Sequence, residues 1–512
     1  MTRTKKSLVN LVSSITGQLI ILAIGIISTP LLLRWLGDDR YGAFRAATDW
    51  SGYLQLLLFG LDGALLSLLA LAVAEGNREK VEDTLAVGIR AYVKALVFMG
   101  IAALLLGWAI PQLVRVKSEL IGELQQGYWV GVAGLLLIPL APFQLLTQAS
   151  QRSHVISAAA LLMNLSITGL TLLLSRGGWG IPGQYLSTLC GFILFTFLAT
   201  REGVLNYGKQ VFSLIFNISE AQKEIEKQLH RLNVPTFFIN LSGRVALLTD
   251  NIIVAYYLGS AAVVPFFLTQ RLASIAQGQV QGIGNATWAS LTELYARQEL
   301  ETFNLTVIKL TRIISIVGLT LLLPIAAYNH HFIRLWVGDS RFGGDGVSTL
   351  AAINGWLQGI LSFWTWCIMG TGNAQHIAKS SVISSLVNVV VSLICTKIFG
   401  SSGPLLGTFV GFMAVSIWWC PKVLHTLFGT SVGQLFLACL NPLLIGVPYG
   451  CCIFLIARSH QPWGWVGLGG EMGTTAIIYL LLAWQFILSL DERIVWRDRF
   501  LKSLSMVKFR NT

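Results

Sequence analysis

The chain has 512 residues, 54% of them hydrophobic and only 12% charged, with a mean hydropathy of +0.67. That balance excludes an ordinary soluble globular protein and a disordered chain. The formal charge of +12 requires no nucleic-acid partner, because basic loops are how a polytopic membrane protein sets its orientation.

A helix that crosses a bilayer needs roughly 20 apolar residues. Stretches of that kind recur here between short polar breaks, and the roughly 10-residue alternating strands of a membrane barrel do not. The predicted fold class is an all-α polytopic membrane protein with about 14 transmembrane helices. In chain order the spans fall at 8–34, 50–73, 90–110, 127–147, 155–175, 181–200, 232–258, 263–290, 307–327, 347–370, 377–399, 404–424, 434–457 and 464–490. The opening "MTRTKKS" leads into an apolar run too long for a signal-peptide core and without a small-residue cleavage site, so it reads as a retained first helix. The last two spans, separated by "ARSHQPWG", form a terminal pair.

With the N-terminus placed in the cytoplasm, 24 Lys and Arg fall on the cytoplasmic side and 10 on the other, out of 36. Both tails then face the cytoplasm. All seven cysteines lie in spans without a CxxC spacing and read as reduced packing residues. His330 and His331 have no acidic or cysteine partner at ligand spacing, so no metal and no cofactor is expected.

The chain repeats itself. "WLGDDRYGAF" from Trp35 matches "YLGSAAVVPF" from Tyr257 at an offset of 222 residues, and without a gap the same offset sets Glu79 on Glu301 and Arg90 on Arg312. Both halves keep the same orientation, which defines a parallel repeat of two six-helix bundles with the substrate between them. The expected domains are 1–200 for the first bundle, 201–231 for a cytoplasmic linker, 232–424 for the second bundle, and 425–512 for the terminal pair with a basic tail.

Charges inside spans carry the functional reading. A charged group at the bilayer centre costs about 2.5 to 3.5 kcal/mol on insertion scales, so each needs a partner or a water-filled cavity. Arg244 and Asp250 sit in one span but six residues apart, roughly 120° around the helix and about 9 Å along it, which rules out an i, i+4 pair. Asp250 is matched in depth with Arg271 on the next span, leaving Arg244 to meet a carbonyl, Asp62 or an anionic ligand. Arg45 and Asp49 stand at i, i+4 and are outer-gate candidates, and the repeat sets Asp49 opposite in sign to Arg271. Gly60 and Gly63 flank Asp62, either for close packing or for bending at a gate. Glu471 reads as an interfacial residue.

The stretches "WLGDDRYGAF", "LLLFGLDGAL" and "AEGNREK" resemble the first two helices of bacterial polysaccharide flippases, and "SGRVALLTDNIIVAYYLGS" with "FFLTQRLASI" resembles their seventh and eighth. Those flippases belong to the multidrug/oligosaccharidyl-lipid/polysaccharide superfamily. The resemblance implies export of a polyprenyl-pyrophosphate-linked oligosaccharide across the inner membrane for surface polysaccharide synthesis, with no enzymatic activity. It also implies H+ or Na+ as a coupling ion, with Asp250 or Asp62 to hold it, and a polymerase and glycosyltransferases as partners. Arg244 and Arg271 suit a pyrophosphate through their forked donors. Two relatives of the same fold are the alternatives. A cation-coupled drug antiporter has an acid in the first helix that "SLVNLVSSITGQLIILAIGIISTPLLL" lacks, and a cell-wall precursor flippase has charged first-helix residues also missing here. A non-transporting scaffold would not require buried cations.

Overall fold

The computed structural model describes residues 3–58, 60–150, 152–216, 219–488 and 492–493, with side chains at all of these positions except 3–20, 22, 153, 230–240, 242–247 and 289. The described residues are helical throughout, without a strand. Sixteen helices follow in order: α1 Arg3–Gly52, α2 Leu61–Ala74, α3 Arg78–Val114, α4 Ile121–Ala133, α5 Ala141–Ala149, α6 Ser153–Arg176, α7 Gly180–Phe216 and α8 Glu220–Leu258, then α9 Val263–Ala296, α10 Leu300–Val337, α11 Asp345–Gly370, α12 Gln375–Phe399, α13 Gly403–Gly411, α14 Ile417–Phe428, α15 Val432–Ser459 and α16 Gly464–Phe486. Every span expected from the sequence falls on one or two of these helices.

Among the described residues, eight helical segments are long and apolar enough to cross a membrane, or nine if the bent pair ending in α2 is one span. Much of their apolar surface faces outward. In the most apolar window of the span His154–Arg176 only 11% of residues are buried, and Leu105, Trp108 and Ile398 are each more than 60% exposed. Such surface belongs against lipid, where helices satisfy their own backbone groups.

The repeat is visible in the backbone. Gly37 (φ 74, ψ 167) and Gly259 (φ 90, ψ 162) stand at the offset of 222 and take the same left-handed turn between two spans. Gly76 (φ 66) and Gln298 (φ 61) repeat the coincidence just before α3 and α10. A non-glycine residue rarely takes positive φ; Gln298 does so because its half keeps the backbone course of the other. The Gly37 corner is braced by Lys117 on Asp39 at 2.6 Å and by Arg40 on Glu123, whose Oε1 also accepts from the Ile181 amide at 2.7 Å.

Two compact units emerge, residues 1–267 with 381–408, and residues 268–380 with 409–512. In the first, Leu65, Leu85, Tyr92, Phe143 and Val211 form a buried core joined by Ile225 and Leu229 at the start of α8. The interval from Arg201 to Arg231 is therefore largely helical and packed: it supplies the end of α7 and the first turns of α8, capped by Ser219 accepting from the Gln222 amide. In the second unit Tyr295, Phe303 and Phe428 pack edge to face and tilted. There α11 is bound to α10 by two indole hydrogen bonds, Trp356 to Ser315 at 3.1 Å and Trp364 to Thr311 at 2.9 Å.

Candidate functional site

The second limb of α1 carries Arg45 and Asp49 four residues apart, and Tyr53 opens the 3-10 turn that follows; Asp49 and Tyr53 reach Asn251 and Thr249 of α8. Asn251 Nδ2 donates to Asp49 Oδ2 at 2.7 Å, and the Tyr53 and Thr249 hydroxyls meet at 2.6 Å. Asp49 is only 8% exposed. The expected Arg45–Asp49 ion pair is not formed: the Arg45 guanidinium stacks 4.2 Å above the Phe267 ring. A guanidinium desolvated over an aromatic face gains from the ring quadrupole, and the carboxylate takes its bond across helices instead. Arg45 Nε, Trp50 Nε1 and Asp250 Oδ1 are buried there without a hydrogen-bond partner among the described residues. Buried polar atoms without partners on both helices are candidates to meet a ligand.

Close approach creates this nest. A Cβ on Gly42 would lie 2.0 Å from the Ser260 carbonyl oxygen, so only glycine lets α1 meet the turn after α8.

Asp250 and Arg271 fall in different units. Arg271 is half-buried and engaged in an interaction of its own. The Arg244 side chain lies outside the described residues. Asp62 follows a break in the second span, where two helical segments bend by 47° and Gly60 takes φ 77. Its carboxylate accepts from the hydroxyl of Tyr92, a fully buried residue of α3. Broken helices are where transporters seat polar ligands; Gly60 serves the turn, while Gly63 lies within α2.

A buried network that no single stretch of sequence announces closes the end of α7. Arg90 Nη1 donates to Gln222 Oε1 at 2.8 Å and to the carbonyls of Leu214 and Ile215, while Gln222 Nε2 donates to buried Asp83 at 2.6 Å. The repeat gave the signal: its counterpart Arg312 pairs with Glu492. Both halves use this arginine to hold a segment leaving the bundle.

In the second unit an apolar cavity of about 1060 Å³ is lined by Leu322, Ile353, Trp356, Met413, Trp418 and Phe454, among others. Elsewhere in this unit His330 bonds to Asp339 in the turn after α10, Arg458 pairs α15 with Asp345 of α11, and His460 meets Glu471 of α16 at 3.0 Å. Glu471 thus anchors the loop of the terminal pair. All seven cysteines are free.

The fold of these helices is similar to that of solved membrane transporters described as members of the MOP superfamily. The chain matches a lipid II flippase MurJ in an inward closed conformation over 93% of its length and 99% of the flippase, at 14% identity with a TM-score of 0.73. An inward-facing multidrug resistance transporter of the MATE family is matched at 18% identity, TM-score 0.61, over 82% of this chain and 99% of that one. A MOP superfamily transporter from Pyrococcus furiosus, described as having a binding pocket of reverse polarity, is matched at 15% identity, TM-score 0.55, over 87% and 94%. No curated protein matches the sequence. The model of the polysaccharide biosynthesis protein family matches residues 7–289, more than half of the sequence, and the chain belongs to that family. The solved structures share its fold, that of polytopic helical membrane transporters.

Proposed function

We propose that this protein moves a polyprenyl-pyrophosphate-linked oligosaccharide from the inner to the outer leaflet of the cytoplasmic membrane by alternating access, with both termini in the cytoplasm. Family membership supports the polysaccharide as cargo. The observation that carries the lipid-linked part is the cavity of about 1060 Å³, whose lining is almost wholly aliphatic and aromatic. An isoprenoid chain gains about 25 cal/mol for each Å² of apolar surface removed from water, whereas a free sugar gains nothing there. Arg244 and Arg271 supply the cations for the pyrophosphate, and their forked donors match its oxygens. Arg45, stacked on Phe267, and Asp49, bonded to Asn251, serve the outer gate. Asp250 or Asp62 takes the coupling cation. A polymerase and glycosyltransferases act on either side of the step.

The likeness to a lipid II flippase favours a cell-wall lipid precursor as the second reading. A deletion strain separates the readings. Accumulation of an undecaprenyl-linked surface oligosaccharide on the inner leaflet supports the proposal, accumulation of the cell-wall precursor supports the second, and unchanged glycans with new sensitivity to cationic dyes indicate a drug antiporter.

A further inference from the structure

α9 and α11, at 34 and 26 residues, are long enough to cross a membrane. Neither is among the described helices apolar enough to do so against lipid. The exposed face of α9 carries Ser274, Gly278, Gly282 and Asn285, with Trp288 41% exposed, at helical spacings that form one uncharged stripe. Ser274 satisfies its hydroxyl on the Gln270 carbonyl at 3.0 Å, but the Asn285 amide has no partner among the described residues and would find none in hydrocarbon, so the stripe belongs against water or a polar ligand.

α11 completes the surface. Gln281 Nε2 from α9 and Gln358 Nε2 both donate to Ser362 Oγ, each at 3.0 Å. Among the described residues this leaves two amide carbonyls free to accept and one hydroxyl proton free to donate, held together by their shared serine. The aromatic rings are fixed as well. A Cβ on Gly284 would lie 3.1 Å from the Trp366 ring, and one on Gly370 would lie 2.9 Å from that of Trp288, so each indole lies against the backbone of the other helix. On α11, Gln358 and Ser362 together stand roughly opposite in helical phase to the centre of Thr349, Ile353, Trp356 and Leu357, which line the apolar cavity. One helix thus divides an apolar side from an amide and hydroxyl side.

We infer that the stripe of α9, with Gln358, Ser362 and Trp366 of α11, binds the sugar of a lipid-linked glycan. The inference rests on the function proposed above and adds where the sugar goes. A pyranose offers hydroxyls that both donate and accept, and C–H faces that pack on indoles; it carries no charge for an acid or a base to meet. Amide carbonyls, a hydroxyl and fixed indoles answer those features, and a few placed polar groups in an otherwise apolar wall give a ligand its orientation. A cationic drug would call for carboxylates, which this surface lacks. Arg271 heads the same stripe three residues before Ser274, about 15 Å along the axis from Gln281, so the anionic link falls at one end and the sugar below it.

The test uses the purified full chain in detergent and two probes, farnesyl pyrophosphate and the same lipid pyrophosphate carrying one N-acetylhexosamine, with affinities read by calorimetry. The unaltered protein is expected to bind the sugar-bearing probe about tenfold more tightly. Ser362→Ala and Gln281→Leu remove that preference and leave the bare probe within about twofold. Asn285→Ala, at an exposed position with no side-chain bond to lose, does the same in part and guards against misfolding of the other variants. Equal binding of both probes, or a preference that survives all three substitutions, overturns the inference while leaving the lipid-pyrophosphate reading intact. Failure of the unaltered protein to bind either probe overturns both.

Discussion

Asn251 of α8 donates to Asp49 of α1 at 2.7 Å, at a position where Asp49 is 8% exposed. A buried carboxylate that loses such a donor keeps its desolvation cost without its compensation, about 1 to 3 kcal/mol or more. Asn251→Ala is therefore expected to lower the melting temperature of the purified protein by several degrees. Asp49→Asn in the same chain removes the stranded charge and should restore part of the loss. Additive effects of the two substitutions in a double-mutant cycle would show that the pair does not interact.

Arg90 satisfies Gln222 and two carbonyls at the end of α7. Arg90→Ala strands Gln222 and, through it, buried Asp83, and is expected to destabilise by about 3 kcal/mol, the lower end for breaking a buried charged network. Arg90→Lys retains one donor point and should fall between. Thermal unfolding of the three proteins checks the order; an alanine variant as stable as the parent contradicts it.

Gly42 and Gly100 form a matched pair. A Cβ at Gly42 would strike the Ser260 carbonyl at 2.0 Å, while at Gly100 nothing lies within 4 Å. Gly42→Ala should cost several kcal/mol through forced helix separation, as overpacking does. Gly100→Ala, in the interior of α3, should be neutral or stabilising by about 0.5 to 1 kcal/mol. Comparable unfolding midpoints for both would refute the close approach.

His460, in the loop between α15 and α16, has its pKa raised above the ordinary 6.5 by its hydrogen bond to Glu471 and by that residue's charge. A raised folded-state pKa means that the protonated pair stabilises the fold fully below the unfolded value near 6.5 and loses this as pH rises through the folded value. Melting temperature should thus decline across that window in the parent more than in His460→Gln. Parallel pH profiles for the two proteins would show that the pair contributes nothing.

The chain legibly encoded its helices and its repeat, because both are written in local terms: apolar runs of bilayer length, and glycines such as Gly37 and Gly259 that must take positive φ. Partner choice was less legible. Arg45 and Asp49 have the spacing of a helical ion pair, yet Phe267 and Asn251 decide otherwise, and both come from chain more than 200 residues away. The break before Asp62 was hidden for a related reason, since its stabilising contact comes from Tyr92 on another helix. The polar character of α9 and α11 could be read in "QGQVQGIGN" and "INGWLQGILS", but only as glycine and glutamine within a span. Their convergence on Ser362 needed three dimensions.

The most direct test of the transport claim is leaflet exchange in proteoliposomes that contain the purified chain and a fluorescent polyprenyl-pyrophosphate-linked oligosaccharide, scored by quenching from outside. Protein-dependent movement of the glycolipid is expected, and it is lost in Arg244→Ala and in Arg271→Ala at unchanged protein incorporation. Movement no faster than in empty vesicles, or undiminished in both variants, would contradict the claim.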